Sequence, residues 1–221
     1  MRYYSLNHNS KYSSFEDAVK KGLAPDRGLY FPEKIPILPK KFFDDIQDKS
    51  IPEIALKVIN PFLGGQINYN KLLEIVTETL DFKFPLIEIT DKIAALELFQ
   101  GPTLAFKDVG ARFMARTLGH LNKGSKEKIT VMVATSGDTG GAVANSFLGV
   151  DGVDVVILYP KGRVSEIQEL QLTTLGNNVS ALEIDGYFDK CQEMVKKTFI
   201  DKDLNEKLLT SANSINIARW I

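Results

Sequence analysis

Three short apolar runs, at residues 129–134, 153–158 and 179–184, are each followed by a stretch with helical periodicity, at 140–148, 165–175 and 188–199. The first two, ITVMVA and VDVVIL, are β-branched and almost continuously apolar, as strands are when both of their faces are covered. Strand and helix in strict alternation imply an α/β fold, with parallel sheet layers flanked by helices.

The first third of the chain is organised differently. Ser13 and Ser14 precede Phe15-Glu16-Asp17-Ala18-Val19, a hydroxyl cap with acidic residues in the first turn, so a helix starts there and stops at Gly22. Residues 51–62 and 69–80 carry apolar side chains at helical spacing, separated by Pro61, Gly64 and Gly65. These helices are expected to cover a core supplied later in the chain. Residues 86–89 and 94–99 look like short strands. Residues 106–121 look like a helix with Phe106, Gly110, Phe113, Met114, Leu118 and Leu121 on one face.

In an open parallel sheet, ligands bind outside the carboxyl ends of the strands, which singles out two segments. One is Ala134-Thr135-Ser136-Gly137-Asp138-Thr139-Gly140-Gly141, between a strand and a helix. Its glycines permit close backbone approach, and the helix N-terminus, with the hydroxyls of Thr135, Ser136 and Thr139, suits a phosphate or carboxylate. A tight hydroxyl-capped turn that binds nothing is the alternative. A nucleotide P-loop is excluded, because no G-x-x-x-x-G-K-[ST] occurs. The other segment is Gly101-Pro102-Thr103-Leu104-Ala105-Phe106-Lys107-Asp108. Lys107 is either a solvated surface lysine or a Schiff-base nucleophile, which needs partial desolvation, with the neighbouring Phe106 a candidate to contribute that the sequence alone does not settle.

Charge and composition remove other classes. The net charge is −1 with no basic block, which argues against nucleic acid and an anionic membrane surface as partners. The apolar runs fall far short of a spanning helix, and residues 1–14 lack the apolar stretch of a signal peptide. The single cysteine, Cys191, lies on an amphipathic stretch and suits core packing and a reducing cytoplasm. His8 and His120 are too isolated for a metal site, and His120 falls in the last turn of a helix, where a cation is favoured.

Four segments, in order, resemble the threonine synthase family: GLAPDRGLYFP at 22–32, ELFQGPTLAFKD at 97–108, ATSGDTG at 134–140, and Asn213-Ser214-Ile215-Asn216 followed by Arg219. The resemblance covers essentially the whole chain. It implies a fold type II enzyme of pyridoxal 5'-phosphate (PLP), similar to the tryptophan synthase β subunit, converting O-phosphohomoserine and water to L-threonine and phosphate. Lys107 would hold PLP as the Schiff-base lysine and move protons, and Asp138 would lie by the cofactor. Thr135, Ser136, Gly137, Asp138 and Thr139, with Asn213, Ser214, Asn216 and Arg219, would bind substrate, the last four its phosphate. Residues 1–95 would form the family's N-terminal domain and 96–221 the first half of its catalytic region. The family's glycine-rich PLP-phosphate loop is expected beyond Ile221. A chain truncated there should be inactive by itself, and should either self-associate through exposed apolar surface or be kept soluble by rearranged packing near residues 215–221. Gln100 departs from the family, which commonly has histidine there, and Gly141 stands where alanine or serine is common. The alternatives are another fold type II lyase, such as a serine or threonine dehydratase, or an inactive binding module. GLAPDRGLYFP and the aspartate of SGDTG weigh against the dehydratase.

Overall fold

The computed structural model describes residues 1–201, 203–204 and 207–221. The chain opens with strand β1 (Tyr3–Ser5) and helix α1 (Phe15–Lys21), and β2 (Tyr30–Pro32) returns to pair antiparallel with β1. Helix α1 starts where Ser14 accepts a hydrogen bond from the Asp17 N–H and ends at Gly22, whose φ of 70° lies in the region that favours glycine. Asp26 closes the segment between α1 and β2. Its carboxylate accepts from the Ser5 hydroxyl (2.6 Å) and from the N–H groups of Asn9 (2.8 Å) and Gly28 (3.0 Å). Helices α2 (Lys40–Asp44), α3 (Ile51–Ile59) and α4 (Tyr69–Thr79) follow. The 51–62 stretch finishes as a tighter 3₁₀ turn at Asn60–Leu63, where Pro61 cannot continue the α-helical bonds.

Strands β3 (Leu86–Thr90) and β4 (Ile93–Leu96) pair with one another as an antiparallel hairpin outside the main sheet, and every residue of both is exposed. Helix α5 (Lys107–Leu121) begins one residue later than the periodicity predicts. The α/β portion then runs β5 (Ile129–Ala134), α6 (Asp138–Phe147), β6 (Val153–Pro160), α7 (Glu166–Thr173), β7 (Val179–Ile184), α8 (Phe188–Thr198) and β8 (Leu208–Ser211). The four strands form one parallel sheet in the order β7-β6-β5-β8.

Alternation along β5 and β6 sorts their side chains between the two faces. Val131, Val133, Val155 and Ile157 join the main core with Met114 and Leu118 of α5, Phe147 of α6 and the side chains of α1 and α4. Met132, Ala134 and Leu158 point the other way, against Cys191 and Val195 of α8. Cys191 is a buried free thiol in that second cluster. His120 does lie in the last turn of α5, but burial and the nearby Lys71 push its pKa down, so the site disfavours the cation expected there.

The apolar end of the chain is partly packed against the rest of the protein. Ile217 and Ala218 are buried within a 3₁₀ turn (Ile217–Arg219), and Trp220 stacks on Phe31 with ring centroids 5.7 Å apart. Trp220 keeps 42% of its surface exposed, and Leu86, Ile89, Ile93 and Leu96 of the β3–β4 hairpin are also exposed.

Candidate active site

From β5 the sheet grows through β6 to β7 on one side, and β8 then crosses back to the other side of β5. The strand order therefore reverses between β5 and β8, and the crevice at the carboxyl ends of such a pair is where open α/β sheets take their ligands. Loops 135–137 and 212–216 meet there, tied by the Asn213 side-chain amide donating to the Ala134 carbonyl at 3.2 Å.

The loop after β5 is built from inside by Thr135. Its buried hydroxyl accepts from the N–H groups of Gly137 (3.0 Å) and Gly140 (2.8 Å) and donates to the Gly137 carbonyl (3.0 Å). Thr135 thus shapes the loop and has no hydroxyl capacity left for a ligand. Gly137 has φ 141°, and a Cβ on it would fall 2.4 Å from the Gln168 amide. Helix α6 starts at Asp138, two residues before the predicted start, so Asp138 and Thr139 occupy a first turn whose N–H groups have no intrahelical acceptor. Ser136 and Asp138 are exposed and Thr139 is half-buried.

The second segment is held by Asp108, which is fully buried and accepts from the Thr103 N–H (2.9 Å) and hydroxyl (2.5 Å). Gly101 packs so closely on this carboxylate that a Cβ would lie 2.5 Å from Oδ2. Leu104, between them, adopts a φ of 58° that is uncommon for a residue with a side chain. The clamp delivers Lys107 as the first residue of α5, with Nζ 3.4 Å from Asp138 Oδ2. Both side chains remain about half open to solvent, at 43% and 54% exposure. Phe106, beside the lysine, is itself 59% exposed. Gln100 turns away to donate to Glu97 at 2.7 Å.

The four residues after β8 divide. Ser214 is exposed and Asn213 half-buried at the crevice. Asn216 is fully buried, donating to the Val19 carbonyl (2.8 Å) and Thr210 Oγ1 (3.1 Å) while accepting from the Ala218 N–H (3.0 Å). Its polar atoms are committed to joining α1, β8 and the last turn. Arg219 packs under Gly110, one turn along α5 from Lys107, where a Cβ would fall 3.1 Å from the guanidinium Nε. Its Nη1 donates to the Ala212 carbonyl, its buried Nε has no partner, and desolvation pushes its pKa down to about 10. No carboxylate pairs with it among the described residues.

Known proteins share this arrangement. Residues 86–219 match the family described as pyridoxal-phosphate dependent enzyme, and residues 2–80 match threonine synthase N terminus. The chain belongs to the pyridoxal-phosphate dependent enzymes. Within that family it corresponds to the N-terminal portion of threonine synthases. It is 46% identical over 223 residues to the threonine synthase of Buchnera aphidicola subsp. Acyrthosiphon pisum, covering 100% of this chain and 52% of the relative. With the Escherichia coli K12 threonine synthase the identity is 42% over 222 residues, 100% of this chain and 51% of that one. The crystal structure of PLP-bound threonine synthase from Brucella melitensis superposes with a TM-score of 0.90 at 41% identity, covering 99% of this chain and 49% of that one. The Escherichia coli threonine synthase structure gives 0.91 at 42%, over 99% and 51%. The chain spans about half the length of the curated relatives it matches.

Two contributors to the site escaped the sequence reading. Asp108 was visible only as a carboxylate beside Lys107, and nothing in GPTLAFKD shows that it folds back on Thr103. Gln168 was visible only as the fourth residue of Ser165-x-x-Gln168, the signature of a capping box at a helix start.

Proposed function

We propose that this chain is the N-terminal half of a threonine synthase, which converts O-phosphohomoserine and water to L-threonine and phosphate. One observation carries the reading: the Lys107 amine stands 3.4 Å from the Asp138 carboxylate at the switch point of the sheet. The fit to PLP is supported by that accessible amine and by the glycine-lined loop beside it, and the fit to a second phosphate, the substrate's, by the unpartnered Arg219 Nε. PLP, when bound, supplies the electron sink that makes protons on the substrate's Cα and Cβ labile.

The chain's own residues do the rest. Lys107 is the catalytic residue and the cofactor's covalent anchor, and it moves protons at Cα and Cβ. Asp138 orients the Lys107 amine. The first turn of α6, with Ser136 and Thr139, receives the substrate carboxylate, while Thr135 and Gly137 give the loop its shape. Arg219, with Asn213 and Ser214 at the crevice, attracts the substrate phosphate. Asn216 holds that segment in place. The division at residues 95 and 96, a cytoplasmic location and self-association through exposed apolar surface belong to the same reading.

The test is product analysis with the full-length gene product and PLP. Equal amounts of threonine and inorganic phosphate from O-phosphohomoserine are expected. A 2-oxo acid and ammonia from serine or threonine, with no phosphate release, would assign a dehydratase instead.

A further inference from the structure

Helix α7 lies on the loop after β5, and Gln168 is its point of contact with Asp138. The two ends of the Gln168 amide have different employment. Its Oε1 accepts from the Ser165 N–H and from the Ser165 hydroxyl, both at 3.1 Å. Its Nε2 donates to Asp138 Oδ1 at 2.8 Å. A flipped amide would set NH₂ against the Ser165 N–H and oxygen against a carboxylate, so the helix cap dictates which end faces the site.

With Oδ1 held by Gln168, it is Oδ2 that faces Lys107 Nζ at 3.4 Å. Gly137 makes the approach possible, since any side chain there would occupy the space of the Gln168 amide. One turn further along α7, Gln171 packs on α6 at Gly141, where a Cβ would fall 2.8 Å from its Oε1.

We propose that Gln168 is a positioning residue: through a donor whose direction is set by the α7 capping box, it fixes the Asp138 carboxylate so that one oxygen aims at the Lys107 amine. The inference rests on the reading of Lys107 as the PLP lysine. A hydrogen bond to an ionised acceptor is short and directional. Without it the Asp138 carboxylate swings freely in the open crevice, and Lys107 meets an incoming aldehyde in a broader set of orientations.

The experiment is cofactor capture by the full-length apo-protein, followed by stopped-flow growth of the visible absorption that PLP acquires on joining a lysine. Gln168→Met keeps the side chain's length without the donor and should slow capture about tenfold. Gln168→Glu sets a second carboxylate against Asp138 and should slow it further. Gln171→Ala loosens the packing of α7 on α6 without touching Asp138 and should leave the rate within about twofold. In an Asp138→Asn background, Gln168→Met should change the rate by less than about twofold, because its route of action is gone. Capture by Gln168→Met at the wild-type rate, or an undiminished effect in the Asp138→Asn background, overturns the proposal. Capture that persists unchanged in Lys107→Ala would instead overturn the assignment of Lys107, so the two failures are distinguishable.

Discussion

Replacing Asn216 by alanine separates a scaffold residue from a substrate contact. The side chain is fully buried and makes three hydrogen bonds, to the Val19 carbonyl, to Thr210 Oγ1 and from the Ala218 N–H. The losses are unequal. The Val19 carbonyl keeps the Thr210 hydroxyl as a donor at 2.9 Å, so it is not orphaned. The Ala218 N–H has no such reserve in its buried position, and a desolvated unpaired donor costs about 1–3 kcal/mol. Adding about 1 kcal/mol for the remaining donor interactions gives a destabilisation of about 2–4 kcal/mol. With a urea slope of about 3 kcal/mol per molar, the unfolding midpoint should fall by about 1 M. Equilibrium urea unfolding, followed by tryptophan fluorescence from Trp220, which stacks on Phe31 close by, reads this directly. A midpoint shift below about 0.2 M, with weakened O-phosphohomoserine binding, would return Asn216 to the substrate contacts and refute the packing argument.

Three other outcomes follow from the geometry. Arg219→Met should leave stability unchanged or raise it by about 1–3 kcal/mol while abolishing stabilisation by added inorganic phosphate, because the arginine is buried without an anion; calorimetry with and without phosphate checks both. The sign with pH is fixed by the same burial. Because the folded-state pKa is depressed to about 10, the unfolded chain binds more protons above that pH, so the penalty is fully present at neutral pH and is relieved as pH rises through about 10. Wild type should therefore gain stability relative to Arg219→Met in alkaline titrations. Gly140→Ala places a Cβ 2.5 Å from Thr135 Cγ2 and 2.8 Å from Leu172 Cδ2, and should destabilise by about 1–3 kcal/mol, measured as a lowered thermal midpoint. The 221-residue chain alone should self-associate, and Ile89→Lys with Ile93→Lys on the exposed hairpin should render it monomeric by sedimentation, whereas changes at Trp220 should not.

What could be read from the amino-acid sequence depended on how local the cause was. The alternation from β5 to α8 and the cap at Ser14 are consequences of neighbouring residues, and they were legible. Strand β8 was not. Leu208-Leu209-Thr210-Ser211 is four residues long and half polar, and it is a strand because β5 offers it an edge and Val19 accepts from Thr210. Lys107 was singled out through its motif, but its surroundings were not legible. Phe106 is exposed and Asp108 is buried against Thr103, and that contact depends on the fold of the loop. Asn216 entered the phosphate contacts only through the family resemblance, and its residue type does not distinguish a ligand contact from a buried tie. Only its burial between α1 and β8 shows where its hydrogen bonds go. The Gln168 side chain serves the cap and Asp138 together, and sequence shows only the cap.

The most direct test of the account is to identify which lysine takes the cofactor. The full-length protein is loaded with PLP, reduced with borohydride, digested and mapped by mass spectrometry. The account predicts one phosphopyridoxyl group per chain, on Lys107, with no label in Lys107→Ala. A label on any other lysine, or one that survives in Lys107→Ala, would contradict it.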